Sequence, residues 1–526
     1  MSVRVRYAPS PTGSPHVGNL RTAIYDWLLR QKEGGQFIAR LEDTDRTPGR
    51  YQPESIYDLE ASLRFLGILP DEWWVSGGPK GPYVQSQRLP LYQEVAEQLI
   101  AEGNAYRCYC TRERLDKMRL GQVERGGATG YDRHCRTPER RERMRQQRLS
   151  DENLENAEGA NGIEGVVEPS SVVRLAMPLE GTTVLHDEIR GDISYENKLQ
   201  DDQVLLKSDG FPTYFLACTV DDHLMGITHI LRGDEWLSSA AKMLHLYKAL
   251  NWDPPKFAHP PLIFGADKKK LSKRHGATQF TWFMEQGYLP EALINFLVLL
   301  GWSAGDENRE LFTIPELIER FSLQGISESP AIFDYDKLKW MNGHYIRQSE
   351  PGRIIGMCLP HLRKAGLIPP EPVQEDLETD KIFEARKETY RIEVLDYVRR
   401  VIPLELERMK LISEVVELVG FFFQKMDYPE GYDPKATEKW FGVPHLKPLL
   451  EQEITNFAAL PQWNAASIEG VVRQAAETLE VKFADVIHPT RVAATGRTIG
   501  PGLFETLEAL GRDRVLVRLR TVLERV

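Results

Sequence analysis

Cysteine and long apolar runs are the two features that this sequence most clearly lacks. The chain has 5 cysteines among 526 residues, too few for a disulfide framework, which indicates a reducing compartment. No run reaches the ~20 apolar residues that a membrane-spanning helix needs. A strand pattern begins at Val3 and leaves no room for a leader peptide. We therefore expect a soluble, cytoplasmic protein without a membrane partner.

A basic excess is also missing, since the net charge is −11. A nucleic-acid-binding domain usually carries such an excess, so any contact with RNA must use a local basic face. The arginine-rich segment from Arg107 to Arg148 is one candidate. Acids such as Glu139 and Glu142 are interleaved with its arginines, so an exposed, salt-bridged helix is an equal alternative for the later part of the segment.

The segment from Val3 to Trp27, VRVRYAPSPTGSPHVGNLRTAIYDW, combines a strand, a stiff loop and a helix. Apolar and arginine residues alternate up to Tyr7, which predicts a short strand. Prolines then exclude regular structure until a helical period begins at Gly18. Because a helix N-terminus offers free N–H groups and a partial positive charge, His16 and Gly18 predict a site for a phosphate-bearing ligand.

The pattern continues as strand and helix with short connections. Residues 36–42 predict a second strand, and a helix follows from Pro53. This order indicates a parallel sheet whose ligands bind at its carboxyl edge, where His16 and Glu42 both fall. Beyond Gly343 the pattern is almost entirely helical, with long amphipathic stretches at 391–423, 468–481 and 503–526.

A second patterned segment, DKKKLSKRH, runs from Asp267 to His275. A lysine run is usually a solvated face. Here, however, Lys270 and Lys273 follow a probable strand at 262–264 and precede a helix-like segment. A mobile loop with two lysines can close over a triphosphate and neutralise the charge that develops during displacement at phosphorus.

The H-x-G-N of the first segment and the K-L-S-K-R of the second resemble the two signatures of class I aminoacyl-tRNA synthetases. Over effectively the whole chain the sequence resembles the bacterial-type glutamyl-tRNA synthetase family, as in the stretches IARLEDTDR, PTYFLACTVDDHLMG, LRGDEW and FDYDKLKWMNG. This resemblance implies an α/β fold: a Rossmann-type nucleotide-binding catalytic domain with an inserted acceptor-binding domain, followed by an all-α C-terminal half. The implied domains are 1–90 and 210–275 for the catalytic domain, 91–209 for the insert, 276–345 for a stem-contact domain and 346–526 for the helical anticodon-binding domain, whose two sub-domains meet at about 367–385.

The resemblance also implies a reaction and its site. ATP with Mg²⁺ would activate L-glutamate to glutamyl-adenylate, and the glutamyl group would pass to the 3′ end of tRNA(Glu). The implied catalytic residues are His16, Gly18, Lys270 and Lys273. The implied glutamate-binding residues are Arg6, Ala8, Ser10, Glu42, Tyr214 and Arg232. The implied ATP-binding residues are His16, Gly18, Asn19, Glu235, Trp236, Lys270, Ser272 and Lys273. Cys218 lies where some members of the family carry an asparagine.

Three of the cysteines lie in the segment that is predicted to be an insert. Cys108 and Cys110 are two apart, and Cys135 follows 25 residues later, a spacing that can converge on zinc. The resembled family includes members with such a structural zinc, and Tyr131 or His134 would be the fourth ligand here. Some members carry a histidine where this chain has Thr137, so three reduced cysteines beside a metal-free turn are the alternative.

Other interpretations compete with this one. Glutaminyl-tRNA synthetases share the catalytic half, but their C-terminal half is a β-barrel, against which the helical pattern argues. A truncated paralogue that modifies tRNA would lack that half. A non-catalytic RNA-binding or regulatory protein would not need the histidine and the lysines of the two signatures. Charging of tRNA(Gln) as well depends on a few residues of the helical domain and stays open, and a monomer is the expected state.

Overall fold

The computed structural model describes residues 2–126, 129–152, 168–272, 278–305, 309–375 and 379–526. The chain divides into two compact units: the first is Met1–Trp282 with Leu293–Asp334, and the second is Phe283–Ala292 with Tyr335–Val526. Among the described residues, every strand belongs to the first unit and the second unit is helical. This confirms the predicted fold class. The predicted domain boundaries are finer than these two units and stay a prediction.

The first unit alternates short strands with helices. Its strands are β1 (Arg4–Tyr7), β2 (Gln36–Ala39), β3 (Ala105–Cys108), β4 (Val172–Leu175), β5 (Thr182–Asp187), β6 (Gly191–Glu196), β7 (Val204–Leu206), β8 (His229–Leu231), β9 (Lys256–Ala258), β10 (Ile263–Phe264) and β11 (Ala331–Ile332). The helices as far as residue 320 are α1 (Val17–Glu33), α2 (Ser55–Leu66), α3 (Leu89–Ala101), α4 (Arg112–Glu124), α5 (Pro138–Asp151), α6 (Tyr214–Leu224), α7 (Ala240–Ala249), α8 (Phe280–Glu285), α9 (Pro290–Leu299) and α10 (Ile314–Arg320).

Parallel pairing places the carboxyl ends of several strands at one edge. β1 and β2 are parallel, with Arg4 opposite Gln36 and Tyr7 opposite Ala39. In the four-stranded sheet β6-β5-β9-β8, the strands β5, β9 and β8 are parallel neighbours. The N–H of Thr228 donates to the Arg4 carbonyl at 2.9 Å, so β8 begins beside β1. Ligands of open α/β sheets bind at this edge of the strands.

The helix α1 starts at this edge and packs into the core of the first unit. His16 is its N-cap in extended backbone, and the His16 side chain accepts the N–H of Gly18. Leu20, Ile24 and Leu28 recur at helical spacing and are fully buried, as an amphipathic helix requires. Gly34 ends the helix in the left-handed conformation, at φ 66°, which glycine adopts without steric cost.

The segment predicted as an insert contributes to two sheets. β3, β4 and β7 form a three-stranded sheet of their own. The hairpin of β5 and β6 instead joins β9, with Asp187 opposite Phe257. One sheet of the first unit therefore combines residues from 91–209 with residues from 210–275.

The second unit buries an apolar core between helices. From residue 335 onward these are α11 (Tyr335–Gln348), α12 (Pro351–Lys364), α13 (Asp380–Tyr390), α14 (Asp396–Val401), α15 (Val415–Phe423), α16 (Pro434–Phe441), α17 (Leu446–Ala459), α18 (Ala465–Thr478), α19 (Phe483–Thr495), α20 (Leu503–Leu510) and α21 (Arg512–Leu523). Val398, Val419, Leu449, Val472 and Leu507 are fully buried in this core. The described residues after Ile332 include no strand, so this half is not a β-barrel.

Two of the predicted long helical stretches are interrupted. Between α14 and α15 the chain forms 3-10 turns at Ile402–Glu405 and Ile412–Glu414, since Pro403 has no N–H for a helical hydrogen bond. Gly511, at φ 83°, separates α20 from α21. Each interruption falls on a residue that disfavours continued helix.

Candidate active site

One cavity of about 1090 Å³ lies in the first unit, where the N-terminal segment meets the lysine segment. All the residues predicted to bind glutamate or ATP that the structure describes line this cavity: Arg6, Ala8, Ser10, His16, Gly18, Asn19, Glu42, Tyr214, Arg232, Glu235, Trp236, Lys270 and Ser272. Lys273 lies outside the described residues. The structure therefore brings together side chains that are remote in the sequence, and their roles stay predictions.

The start of α1 lies at the cavity, but its first N–H groups already have partners. The N–H of Gly18 donates to His16 Nδ1 at 3.1 Å. The N–H groups of Val17 and Asn19 donate to the carbonyls of Thr278 and His16, at 3.2 and 3.0 Å. A phosphate at the Gly18 N–H would have to replace the His16 imidazole. Burial, followed by the charge of Lys270, lowers the pKa of His16, so the imidazole is neutral at pH 7.

Lys270 follows a tight turn after β10. Phe264 and Lys270 form an antiparallel bridge across this turn, and the N–H of Gly265 donates to the carbonyl of Lys269 at 2.9 Å. The Lys270 Nζ lies 3.4 Å from Oε1 of Glu235. A cation is thus held at the cavity wall beside the His16 loop, where it can meet a phosphate chain.

Arg6 connects the cavity to a buried ion network. Its Nε donates to both carboxylate oxygens of Asp222, at 3.2 and 3.3 Å. Arg40 donates to the same carboxylate at 2.8 Å and lies 3.4 Å from Asp221. Burial opposes the charges of Arg6 and Arg40, but Asp222 and the other acidic groups around them together raise the pKa of both guanidinium groups. Both arginines therefore stay charged.

Glu42 joins this network from the segment that follows β2. Its Oε1 accepts hydrogen bonds from Arg40 at 3.2 Å and from the Cys218 thiol at 2.8 Å. Burial raises the pKa of Cys218 well above its ordinary value, so the thiol keeps its proton and donates it to Glu42. Burial also raises the pKa of Glu42, against the charge of Arg40. Cys218 is thus a buried donor that holds the Glu42 carboxyl in place.

Arg232 follows β8 and is held by hydrogen bonds at two of its nitrogens. Nε donates to His259 Nε2 at 3.0 Å, and Nη1 donates to the Tyr214 hydroxyl at 3.3 Å and to Met243 Sδ at 2.7 Å. Within the described part of the chain, the buried Nη2 has no hydrogen-bond partner. The Tyr214 ring stacks on Trp236 with centroids 4.3 Å apart. Because Arg232 lines the cavity, its guanidinium can bind a ligand carboxylate there.

The three cysteines of the predicted metal site converge in a separate part of the first unit. The sulfurs of Cys108, Cys110 and Cys135 all lie within 4.8 Å of one another. The Tyr131 hydroxyl lies 3.2 Å from the Cys108 sulfur and 3.5 Å from the Cys110 sulfur. Two sulfurs bound to one zinc at ~2.3 Å are roughly 3.8 Å apart, so the donor set fits a tetrahedral site. His134 is not among the clustered donors.

The arginine-rich segment forms the exposed helices α4 and α5. Met144 is the one residue of α5 that is buried. Arg145 pairs with Glu168 at 2.8 Å, and Arg148 pairs with Glu152 at 3.3 Å. These ion pairs agree with an exposed, salt-bridged helix in the later part of the segment. Contact of the segment with RNA stays a prediction.

Several buried residues that hold the cavity's side chains could not be assigned a role from the sequence pattern alone. Asp222 and Arg40 hold Arg6 and Glu42, and His259 holds Arg232. The acidic pair at 221–222 interrupts an otherwise apolar helix, which is a detectable signal of buried charge. His259 follows a strand by one position, at the edge where ligands bind. Its partners become visible only in the folded chain.

Comparisons with known proteins agree with this geometry. Residues 2–340 match the family described as tRNA synthetases class I (E and Q), catalytic domain, and residues 372–523 match the anticodon binding domain. The glutamate–tRNA ligase of Dehalococcoides mccartyi is 44% identical over 525 residues, covering 100% of this chain and 98% of the relative. That of Moorella thermoacetica is 42% identical over 519 residues, with 98% and 97% covered.

Solved structures give the same result. The crystal structure of a glutamate tRNA ligase from Elizabethkingia meningosepticum in complex with its amino acid superimposes with a TM-score of 0.81 at 32% identity, covering 100% of this chain and 99% of the other. The glutamate–tRNA synthetase of Elizabethkingia anophelis gives a TM-score of 0.80 at 32% identity, with both chains fully covered. Among the described residues, no helix is both long and apolar enough to span a membrane.

Proposed function

Because this chain belongs to the family of class I tRNA synthetases (E and Q), we propose that it is a glutamate–tRNA ligase, which uses ATP and Mg²⁺ to join L-glutamate to tRNA(Glu). One observation carries the proposal. His16, Gly18 and Asn19 of the first signature and Lys270, Leu271 and Ser272 of the second line a single cavity with four arginines, among them Arg6 and Arg232. A carboxylate substrate and a triphosphate can therefore meet there.

The first step would be in-line attack of the glutamate α-carboxylate on the α-phosphate of ATP, which forms the adenylate and releases pyrophosphate. A carboxylate is already a competent nucleophile, so the site needs no general base, and catalysis comes from positioning and charge stabilisation. His16 and the Gly18 N–H would bind the α- and β-phosphates. Lys270, with Lys273 outside the described residues, would neutralise the departing pyrophosphate.

Glutamate selection would depend on the cations of the cavity. The side-chain carboxylate would accept hydrogen bonds from Arg232 and from Arg6, while Glu42 and Ser10 would lie near the ammonium group. Glutamine would place a neutral amide against a buried guanidinium and leave it without a counter-charge. Sites built around polar partners can reject such analogues by ~10⁴.

The cysteine cluster would hold one structural zinc, with Cys108, Cys110, Cys135 and Tyr131 as ligands. Arg174 supports the set, since its guanidinium lies over the Tyr131 ring at 3.7 Å from the centroid, a cation–π contact that holds the ring beside the sulfurs. The backbone N–H of Cys135 also donates to the Tyr131 oxygen at 2.9 Å. Bound zinc would cross-link the turn after β3 to the segment around Cys135 and so stabilise this part of the first unit.

We infer that the protein acts as a cytoplasmic monomer, with the exposed basic helices α4 and α5 near the acceptor end of the tRNA and the helical unit at the anticodon. Charging assays with purified tRNA(Glu) and tRNA(Gln), each with glutamate and with glutamine, test the function. We expect glutamyl-tRNA(Glu) from glutamate and no product from glutamine. Product with tRNA(Gln) and glutamate would show the broader specificity, and no charging of either tRNA would refute the proposal.

A further inference from the structure

Three buried polar residues follow one another across neighbouring parallel strands. Asp187 is the last residue of β5, His259 comes directly after β9, and Arg232 comes directly after β8. Because these strands are adjacent and parallel, their carboxyl ends place the three side chains in a row. His259 is fully buried, and Asp187 and Arg232 are 5% and 6% exposed, so water cannot replace the bonds between them.

We propose that Asp187 and His259 are positioning residues that orient the Arg232 guanidinium for the side-chain carboxylate of the amino-acid substrate. The proposal rests on the proposed function for the identity of that substrate. The Asp187–His259–Arg232 relay is a chain of two hydrogen bonds: His259 Nδ1 lies 2.6 Å from Asp187 Oδ2, and Arg232 Nε donates to His259 Nε2 at 3.0 Å. Neither Asp187 nor His259 is among the residues that line the cavity.

The carboxylate of Asp187 determines which imidazole nitrogen carries the proton. Its other oxygen, Oδ1, accepts the backbone N–H groups of Ile189 and Arg190 at 3.0 Å each, so the carboxylate is itself fixed. A carboxylate accepts but does not donate, hence His259 must donate from Nδ1 and present the lone pair of Nε2 to Arg232. Burial, together with the charges of Arg232 and Arg190, lowers the pKa of His259, which keeps the imidazole neutral.

The hydrogen bond from Arg232 Nε to His259 Nε2 fixes the plane of the Arg232 guanidinium. Arginine binds a carboxylate through a rigid, planar fork of N–H donors, so binding depends on the orientation of that plane. Nε is held by His259, and Nη1 is held by Tyr214 and Met243, so these bonds set the orientation of the guanidinium in the cavity that Arg232 lines. If Nε lost its acceptor, the guanidinium would rotate away from the orientation in which it serves the ligand carboxylate.

The substitution Asp187→Asn reverses the direction of the hydrogen bond to His259 and hardly changes the shape of the side chain. The asparagine Oδ1 still accepts from Ile189 and Arg190, but its amide now donates to His259 Nδ1. The imidazole proton then sits on Nε2 and faces the N–H of Arg232 Nε, donor against donor. We expect the KM for glutamate to rise about 10- to 100-fold, the range expected when a hydrogen bond that involves a charged group is lost, while the KM for ATP stays unchanged.

A matched control exists on the same hairpin. His186 Nδ1 lies 2.6 Å from Asp192 Oδ1, and both side chains are exposed, so Asp192→Asn makes the same chemical change away from the cavity and should leave both KM values unchanged. The pair His259→Gln and His259→Leu tests the relay independently, because glutamine keeps an acceptor near the position of Nε2. Glutamine should recover most of the glutamate affinity that leucine loses.

These experiments distinguish failure of the relay from failure of the proposed function. A selective rise in the KM for glutamate in Asp187→Asn, with recovery in His259→Gln relative to His259→Leu, supports the relay. If the wild type is active but the variants change the KM values for glutamate and ATP together, or change neither, the relay is overturned and the proposed function stays intact. A wild-type protein that does not charge tRNA with glutamate refutes the proposed function, and the relay with it.

Discussion

Glu453 is a buried carboxyl whose removal should stabilise the helical unit. It lies on α17 and is fully buried, and its Oε1 lies 2.6 Å from the hydroxyl of Thr490 on α19. The Thr490 hydroxyl also lies 2.8 Å from the Val486 carbonyl. A hydroxyl has one proton, so both contacts are satisfied when Glu453 is protonated and donates to Thr490, which then donates to Val486. Burial raises the pKa of Glu453 from 4.5 to about 8.

The sign of the pH effect follows from this shift. A carboxyl whose pKa is higher in the folded than in the unfolded chain binds a proton on folding. Its contribution to stability is therefore complete below pH 4.5 and is lost as the pH rises towards about 8. The loss is about 1.36 kcal/mol per pH unit within that window. The substitution Glu453→Gln keeps the shape and a donor for Thr490 but has no charge to bury.

The assay is scanning calorimetry of the wild type and of Glu453→Gln at pH 5 and pH 7. We expect the free energy of unfolding of Glu453→Gln, relative to that of the wild type, to increase by roughly 2.5 kcal/mol from pH 5 to pH 7. This corresponds to roughly 5–10 °C in the Tm of a unit of this size. Glu451→Gln, at an exposed position of the same helix, is the control and should show no such growth. An equal advantage at both pH values, or a loss of stability at both, would refute the argument for a buried neutral carboxyl.

Three further predictions concern the first unit. Lys270→Ala should lower kcat for adenylate formation about 10²- to 10³-fold with little change in the KM for glutamate, as expected for a donor that acts in the transition state; a change in KM alone would contradict that role. Asp222→Asn removes the negative charge that Arg6 and Arg40 share and should cost about 3–5 kcal/mol, measured as a lower Tm with and without ligands. A Tm equal to that of the wild type would contradict this prediction. We expect metal analysis to give one equivalent of zinc in the wild type and none in Cys108→Ser, and absence of zinc from the wild type would favour the metal-free turn.

The local features of the fold could be predicted from the sequence because they depend on neighbouring residues. The strand at β1 and the helix α1 follow from periodicity, and α2 ends at Gly67, which adopts the left-handed conformation. The turn at Gly511 and the break at Pro403 are equally local, but the apolar pattern runs through both. That pattern therefore predicts one helix where the backbone makes two.

The candidate site was predictable only where a motif marks it. His16 and Lys270 belong to recognisable signatures, and the structure places both in one cavity. The partners that hold the site come from distant parts of the chain, such as Asp222 for Arg6 and Asp187 for His259. A contact across many residues leaves no period or spacing in the sequence, so the buried ion network and the relay could not be predicted.

Exchange of pyrophosphate into ATP, measured with glutamate and tRNA(Glu) present and with each of them omitted, shows whether glutamate and ATP react in this cavity. We expect exchange that requires glutamate, is not supported by glutamine and is strongly reduced in Lys270→Ala. Exchange that proceeds equally well with glutamine, or no exchange in the complete mixture, would contradict the claim that glutamate and ATP react in this cavity.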